Sequence, residues 1–488
     1  MILTKKKNPA LTVIVALGSF LLLTSAFYPI GSLSVFDAKR ILQLVLFATV
    51  LLFTISWPPL RRATVTQLTR LSALNYLLLA LFFSIGILSS LRLEHPAYAL
   101  LDVSMLFVMM VLITVTAGSR ELAARRFDKW AVLLLAAMGF AIAIQEFMGF
   151  VAGWVLGAEF SYAEALMHFA HPRFYNQLQT WSIPVLAAIP LLFPTKRWVK
   201  LICISLLGLQ WFLVIALAAR GTTLSLLLAM MFIALWLPKQ RKHWLKFQLA
   251  GLLAGIVVYA CILFLNETLI PQSQSGDFYA HSLGRPMAHT SGRSTLWRLS
   301  IEDAVKQPAL GSGPTRYACE SEIILPAHPH SFPLRILGEW GVIAFLLILI
   351  FTGAMGLHFI KSIKHQNKTS KTDPALKAIL ATSLIAGTLH ACLSGLLIMP
   401  ASQVAMIIIA GWALSLSANT RAQFSGAASL LVIIGALIAS AILVFATIEV
   451  TKLPERTPYA EDYGPMMPRF WLNGRVCEYN YSPSNAHK

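Results

Sequence analysis

Apolar runs of about 20 residues recur along almost the whole chain, and this repetition limits the fold more than any other feature. A helix of about 20 residues crosses the roughly 30 Å hydrocarbon core of a bilayer. Since lipid cannot hydrogen-bond to backbone groups, these runs must be helical. The sequence predicts an all-α, polytopic transmembrane helix bundle with about 12–13 spans. The predicted spans are 9–29, 41–57, 74–91, 98–117, 130–150, 181–194, 199–218, 222–237, 248–266, 334–360, 377–399, 401–417 and 426–449.

Composition agrees with a bilayer location and explains the charge. The chain is 57% hydrophobic and only 12% charged, with a mean hydropathy of +0.69. Its formal net charge of +18 would indicate nucleic-acid binding in a soluble protein. Here most basic residues lie in short loops, and placing residues 5–7 in the cytoplasm puts every basic cluster on that side. We therefore expect no nucleic-acid partner, and we expect the first run to be a retained helix.

The predicted topology divides the chain into four parts. These are N-terminal transmembrane helices (1–266), a large extracytoplasmic loop (267–333), C-terminal transmembrane helices (334–449) and an extracytoplasmic tail (450–488). A loop of this length between spans usually carries function. Cys319 and Cys477 lie outside the spans on the same side, so they are candidates for a disulfide. Two unrelated thiols are the alternative.

Two arginines on the extracytoplasmic side are candidate anion ligands. Arg220 precedes Gly221 at the start of a span, and Arg293 lies in the large loop among small and hydroxyl residues. Two guanidinium groups facing one compartment can hold a diphosphate through paired hydrogen bonds. The alternatives are an interfacial arginine that reaches lipid phosphates and a solvated loop residue.

A histidine pair ends the large loop. His328 and His330 flank a proline directly before the span at 334, so an imidazole lies close to the membrane surface. Histidine is well suited to accept a proton near neutral pH. A metal site is the alternative reading, but the spacing matches no strong zinc pattern and no paired acidic motif is present. We expect no metal and no other cofactor.

Several short segments together resemble one known family. They are Arg293 followed by Trp297, the 308–313 segment Pro-Ala-Leu-Gly-Ser-Gly, the His-Pro-His-Ser segment at 328–331, and Glu339-Trp340-Gly341. This ordered set resembles the core of the O-antigen ligase and O-antigen polymerase superfamily, and Arg220-Gly221 resembles its Arg-Gly element. Ser331 departs from the usual Asn, and Ala309 shifts the usual Leu by one position.

The resemblance implies roles for individual residues. It makes His330 the catalytic histidine and makes Arg220 and Arg293 the ligands of a donor diphosphate, with His328, Glu339 and Trp297 in support. A second stretch, 169–181, also resembles a segment of this family, and its Arg173, Asn176 and Gln177 are candidate glycan-binding residues. An interfacial helix anchored by aromatic residues is the alternative for that stretch.

The implied function is a metal-independent, inverting glycosyltransferase in the bacterial inner membrane, with its active site on the periplasmic face. Its donor would be an undecaprenyl-diphosphate-linked glycan, and its acceptor a hydroxyl group such as one of lipid A-core. A polysaccharide polymerase or a protein O-oligosaccharyltransferase of the same superfamily is the alternative. A flippase for lipid-linked sugars is the rival from another class, but a transporter usually carries ionisable or broken helices near mid-membrane.

Overall fold

The computed structural model describes residues 9–24, 34–94, 96–156, 166–194, 196–237, 241–269, 292–319, 327–364, 374–417, 426–450 and 469–471. All regular elements in these residues are helices, which confirms the all-α prediction. The helices are α1 (Leu11–Thr24), α2 (Val35–Ser56), α3 (Pro58–Leu68), α4 (Ala73–Leu91), α5 (Pro96–Ala123), α6 (Arg125–Leu156), α7 (Pro172–Leu186), α8 (Ile189–Leu192), α9 (Arg197–Ala216), α10 (Arg220–Trp236), α11 (Arg241–Leu269), α12 (Arg293–Lys306), α13 (Arg316–Cys319), α14 (Phe332–Lys364), α15 (Pro374–Ala391), α16 (Pro400–Ser417) and α17 (Gly426–Val450). A 3₁₀ turn covers Met167–Phe169.

Within the described residues, nine helices are long and apolar enough to cross a membrane. Three further predicted spans correspond to shorter apolar helices, Leu11–Thr24, Arg220–Trp236 and Ser429–Phe445. The predicted span 181–194 is a broken helix, because α7 ends shortly after Pro184 and α8 begins beside Pro190. The predicted span 377–399 is a helix only to residue 391. A turn follows it, and Pro400 opens α16 at the first helical position, where proline is favoured.

Contacts between helix ends agree with the predicted sidedness. Arg70 pairs with Glu121 at 3.2 Å, and the Lys364 ammonium lies 4.8 Å from the ring centroid of Trp236, so ends predicted to be cytoplasmic meet. At the opposite end, Arg469 donates to the Ala327 carbonyl at 3.0 Å. Ala327, near the end of the predicted loop, and Arg469, in the predicted tail, are therefore neighbours at one end of the bundle.

Helices α9 and α11 pack closely because small residues face each other. Gly251 and Gly255, four residues apart on α11, lie against Leu207, Gly208 and Trp211 of α9. An added Cβ atom would come within 2.3 Å of the Leu207 side chain at Gly251 and within 2.6 Å of the Trp211 Cβ at Gly255. Small residues four apart allow this close approach of helix backbones in a membrane.

A backbone contact joins the 308–313 turn to a kink in α14. At Gly341 the helix adopts φ +88° and ψ 173°, which frees peptide groups from the helical ladder. The Val342 N–H donates to the Pro308 carbonyl at 2.8 Å, and the Gly313 N–H donates to the Glu339 carbonyl at 2.8 Å. Because this turn follows α12, the contact fixes α12 against α14.

We expect Gly341→Ala to destabilise the protein. The position has a backbone conformation that only glycine adopts readily, with a cost of about 1–3 kcal/mol for other residues. An added Cβ would also lie 2.6 Å from the Pro308 carbonyl oxygen. Thermal unfolding in detergent should show a lower midpoint for Gly341→Ala. Gly353→Ala is the matched control on α14, because nothing lies within 4 Å of its added Cβ. Equal midpoints for the two variants would contradict the role of the kink.

Candidate functional site

The His-Pro-His segment is held in one conformation immediately before α14. Ser331 is the residue before the helix, and its Oγ accepts from the Leu334 N–H at 3.4 Å. Serine and asparagine are both favoured at this capping position, so the departure from the usual Asn keeps the cap. The Trp297 indole N–H donates to the Pro329 carbonyl at 3.1 Å. Trp297 thus links α12 to the histidine segment.

His328 supports His330 through the backbone. The His330 N–H donates to Nδ1 of His328 at 3.1 Å, and the two ring centroids are 4.3 Å apart. This bond accompanies a left-handed conformation at His330, with φ +53°. His328 is 2% exposed, and its ring lies so close to Gly395 that an added Cβ would be 2.6 Å from Cε1. Burial holds its pKa well below the usual value, so His328 is neutral and carries its proton on Nε2.

His330 is an uncharged base beside two cations. Burial lowers its pKa to about 4, and the charges of Arg293 and Arg173 act in the same direction. Arg293 is the first residue of α12, and Arg173 lies in the first turn of α7. The structure therefore brings three predicted site residues together at one end of the bundle. At neutral pH the imidazole is free to accept a proton.

Arg220 opens α10 next to a third histidine. Gly221 lies against His390, whose Nε2 would be 3.0 Å from an added Cβ. Nδ1 of His390 is 2.7 Å from Thr180 Oγ1, and Thr222 Oγ1 donates to the Asn176 carbonyl at 3.0 Å. These bonds connect α7 to both α10 and α15. The charge of Arg293 also acts on His390, so Arg293 lies within electrostatic reach of both histidines.

The two amides predicted to bind glycan are buried within the bundle. Asn176 and Gln177 are each 3% exposed. The Asn176 amide donates to Gln179 Oε1 at 2.8 Å, and the Gln177 amide donates to Ser394 Oγ at 2.8 Å. The Gln177 bond links α7 to the turn after α15. Arg173 is partly exposed, so of these three candidates it is the one positioned to meet a ligand.

Glu339 belongs to a buried charge cluster that the sequence analysis missed. Its Oε2 accepts from Arg469 at 2.6 Å and from Arg335 at 3.3 Å, and both arginines also bind Asp102. Glu339 is fully buried, and its Oε2 atom joins α14 to Arg469. The detectable signal was the presence of Asp102 and Arg335 in membrane-embedded helices, where an ionisable residue needs a partner.

The predicted disulfide and the expected absence of a metal both stay predictions. Cys477 and the side chain of Cys319 lie outside the described residues, so the disulfide stays a prediction. Among the described residues, no group of three or more His, Cys, Asp or Glu side chains is placed to share a metal ion. The Nδ1 atom of His328 is already occupied by the His330 N–H.

A family comparison covers the central part of this site. Residues 203–349 match the family model described as O-antigen ligase. Within this range the chain is similar to the O-antigen ligase family. This confirms the resemblance, and the matched residues include Arg220, Arg293, His330 and the Gly341 kink of α14. No curated protein matches the chain. Residues of α4, α5 and α7, together with Arg469, form hydrogen bonds with residues inside this range.

The depressed pKa of His330 predicts an unusual pH profile. If His330 accepts a proton, a base with a pKa near 6.5 would lose about tenfold in kcat/KM between pH 7 and 5.5. With a pKa of about 4, His330 stays unprotonated over that interval, so kcat/KM should change little. Arg173→Gln should move the acid limb to higher pH, because it removes a nearby cation. Arg298→Gln on exposed α12 surface is the control. A wild-type limb near pH 6.5 would contradict the assignment.

Proposed function

We propose that this protein is a membrane glycosyltransferase that transfers a glycan from a lipid diphosphate carrier to an acceptor hydroxyl. One observation carries the proposal. His330 lies directly before α14, and Arg293 at the start of α12 and Arg173 in the first turn of α7 are near enough for their charges to lower its pKa. A base and cations side by side fit a reaction that deprotonates an alcohol while a diphosphate leaves. The ligase-family match at 203–349 supports the same reaction class.

In the proposed step, His330 accepts the proton of the acceptor hydroxyl as its oxygen attacks the anomeric carbon. The new carbon–oxygen bond forms opposite the bond to the diphosphate, which breaks, so the anomeric centre inverts. The bond electrons leave with the diphosphate, and Arg220 and Arg293 stabilise the charge that accumulates on it. This reaction needs no metal ion and no nucleotide. The proton on His330 returns to solvent or to the diphosphate.

We further propose that the donor is an undecaprenyl-diphosphate glycan, that the acceptor is lipid A-core, and that the site faces the periplasm of the inner membrane. A growing lipid-linked glycan or a protein hydroxyl would make the enzyme a polymerase or an O-oligosaccharyltransferase. Transfer by purified protein from a synthetic lipid-diphosphate donor to each of these three acceptors decides between them. Activity should persist in EDTA. Loss in EDTA with recovery in Mg²⁺ or Mn²⁺ would contradict metal-independent transfer.

We expect His330→Ala to abolish transfer while donor binding persists. Loss of a general base typically lowers the rate by about 10²–10⁴-fold, so the effect should appear in kcat. His328→Ala removes the acceptor of the His330 N–H and should reduce kcat less. His358→Ala, at an exposed position of α14, controls for loss of any imidazole. Normal transfer by His330→Ala would refute the base assignment, and donor movement without transfer would favour a flippase.

Arginine variants should weaken use of the donor. A charge-assisted hydrogen bond contributes about 1.5–3 kcal/mol, so Arg293→Ala or Arg220→Ala should lower kcat/KM for donor by about 10–100-fold. Lysine should restore little, because it lacks the planar fork that binds two phosphate oxygens. Arg298→Ala on the same helix is the control, since Arg298 is largely exposed. If both alanine variants keep the wild-type donor Kd and the wild-type kcat/KM, neither arginine binds the donor.

A further inference from the structure

We infer that Arg469, in the C-terminal tail, is a positioning residue for the catalytic histidine. The inference rests on the proposed function, because it takes His330 as the base. Arg469 lies far along the chain from the ligase-family segment, yet its guanidinium reaches the residue that precedes the His-Pro-His segment. Arg469 Nη1 donates to the Ala327 carbonyl at 3.0 Å. One side chain thus connects the tail to the start of this segment.

The rest of the guanidinium is bound inside the bundle. Nε and Nη2 donate to Asp102 Oδ2 on α5 at 2.8 and 2.6 Å, and Nη2 donates to Glu339 Oε2 on α14 at 2.6 Å. Arg469 is 2% exposed. Burial disfavours its charge, but Asp102 and Glu339 more than compensate and raise its pKa above the usual value. Arg469 is therefore a permanent cation whose orientation is fixed by two carboxylates.

The neighbouring tail residues hold Arg469 in place. Trp471 is 1% exposed, and its carbonyl accepts from the Arg469 N–H at 2.9 Å. The Phe470 carbonyl accepts from Arg40 Nε on α2 at 2.9 Å. Arg40 in turn donates to the Ile398 carbonyl, in the turn next to the His328 ring. The tail segment 469–471 thus contacts α2, α5 and α14, and through Arg40 it is linked to the turn after α15.

The geometry connects this anchor to His330 in three steps. Arg469 holds the Ala327 carbonyl, the next residue His328 lies between this anchor and Gly395, and His328 Nδ1 accepts the His330 N–H. Trp297 holds the intervening Pro329 carbonyl. Displacement of a catalytic group by about 1 Å can cost about 10²-fold in rate. Loss of the Arg469 anchor should therefore lower turnover without removing a donor ligand.

A double variant can separate the two roles of Arg469, which neutralises buried carboxylates and holds the Ala327 carbonyl. Arg469→Gln leaves Asp102 and Glu339 with Arg335 as their shared partner, so this variant can fail to fold. Asp102→Asn combined with Arg469→Gln removes one charge of each sign, and Arg335 stays paired with Glu339. Arg469→Lys keeps the charge, but its ammonium has three N–H donors and lacks the planar fork that makes four hydrogen bonds to Asp102, Glu339 and Ala327. Both the double variant and the lysine variant should fold.

The experiment compares wild type, Arg469→Lys, the double variant and the Arg298→Gln control in detergent. We expect kcat for transfer to fall about tenfold or more in both test variants, with the Kd for a lipid-diphosphate donor unchanged. Hydrogen exchange of the peptide covering 327–334 should accelerate, because the His330 N–H loses its protected position. If Arg469 only stabilised the fold, its loss would not lower kcat while leaving the donor Kd unchanged.

Two outcomes would overturn the inference. If the double variant has wild-type kcat and wild-type exchange at 327–334, Arg469 only balances charge. If the lysine variant has wild-type values, the fork geometry has no role in positioning. Absence of transfer by the wild type with all three acceptors would instead refute the proposed function. The exchange comparison would then still decide whether Arg469 holds the histidine segment.

Discussion

Backbone hydrogen bonds between the 308–313 turn and the kink of α14 fix the position of α12, which carries Arg293, relative to α14, which follows His330. The Gly341 conformation exposes N–H and carbonyl groups that a continuous helix would use internally, and the turn binds them. Arg293 is the first residue of α12, which precedes this turn, and His330 lies two residues before the start of α14. A rigid connection between these two helices is required if a cation and a base are to act on one substrate.

The electrostatics of the site explain why a histidine beside arginines is useful. A base must be unprotonated to act, and burial together with Arg293 and Arg173 keeps His330 in that state. When an anionic diphosphate occupies the arginines, their effect on the imidazole weakens and its affinity for a proton rises. If His330 is the base, as proposed, its affinity for a proton rises when the donor is bound, so the acid limb of kcat should lie at higher pH than that of kcat/KM.

Sequence reasoning predicted the helices well because a long apolar run has one solution in a bilayer. It also selected Arg293, His330 and Trp297 as site residues from segments that resemble a known family. Their roles stay predictions, and in the structure Trp297 donates to the segment that contains His330. It missed the cluster of Asp102, Arg335, Glu339 and Arg469, since the tail was expected to lie in water. Residues 367 apart in sequence meet there, and neither spacing nor periodicity indicates such a contact. Nor did it predict that the amides of Asn176 and Gln177 are buried and bonded to Gln179 and Ser394, because an amide suits a sugar and a buried hydrogen bond equally well.

The distance between Asp102 and Arg469 along the chain has a consequence for biosynthesis. Asp102 enters the membrane with α5, but its partner is synthesised 367 residues later, after α17. Until then Asp102 and Glu339 have Arg335 as their shared salt-bridge partner and lack the hydrogen bonds from Arg469. The contacts of Arg469 with Asp102, Glu339 and Ala327 can therefore form only after the last helix has been synthesised. A chain interrupted before residue 469 would carry the histidine and the arginines of the site but lack the anchor at Ala327.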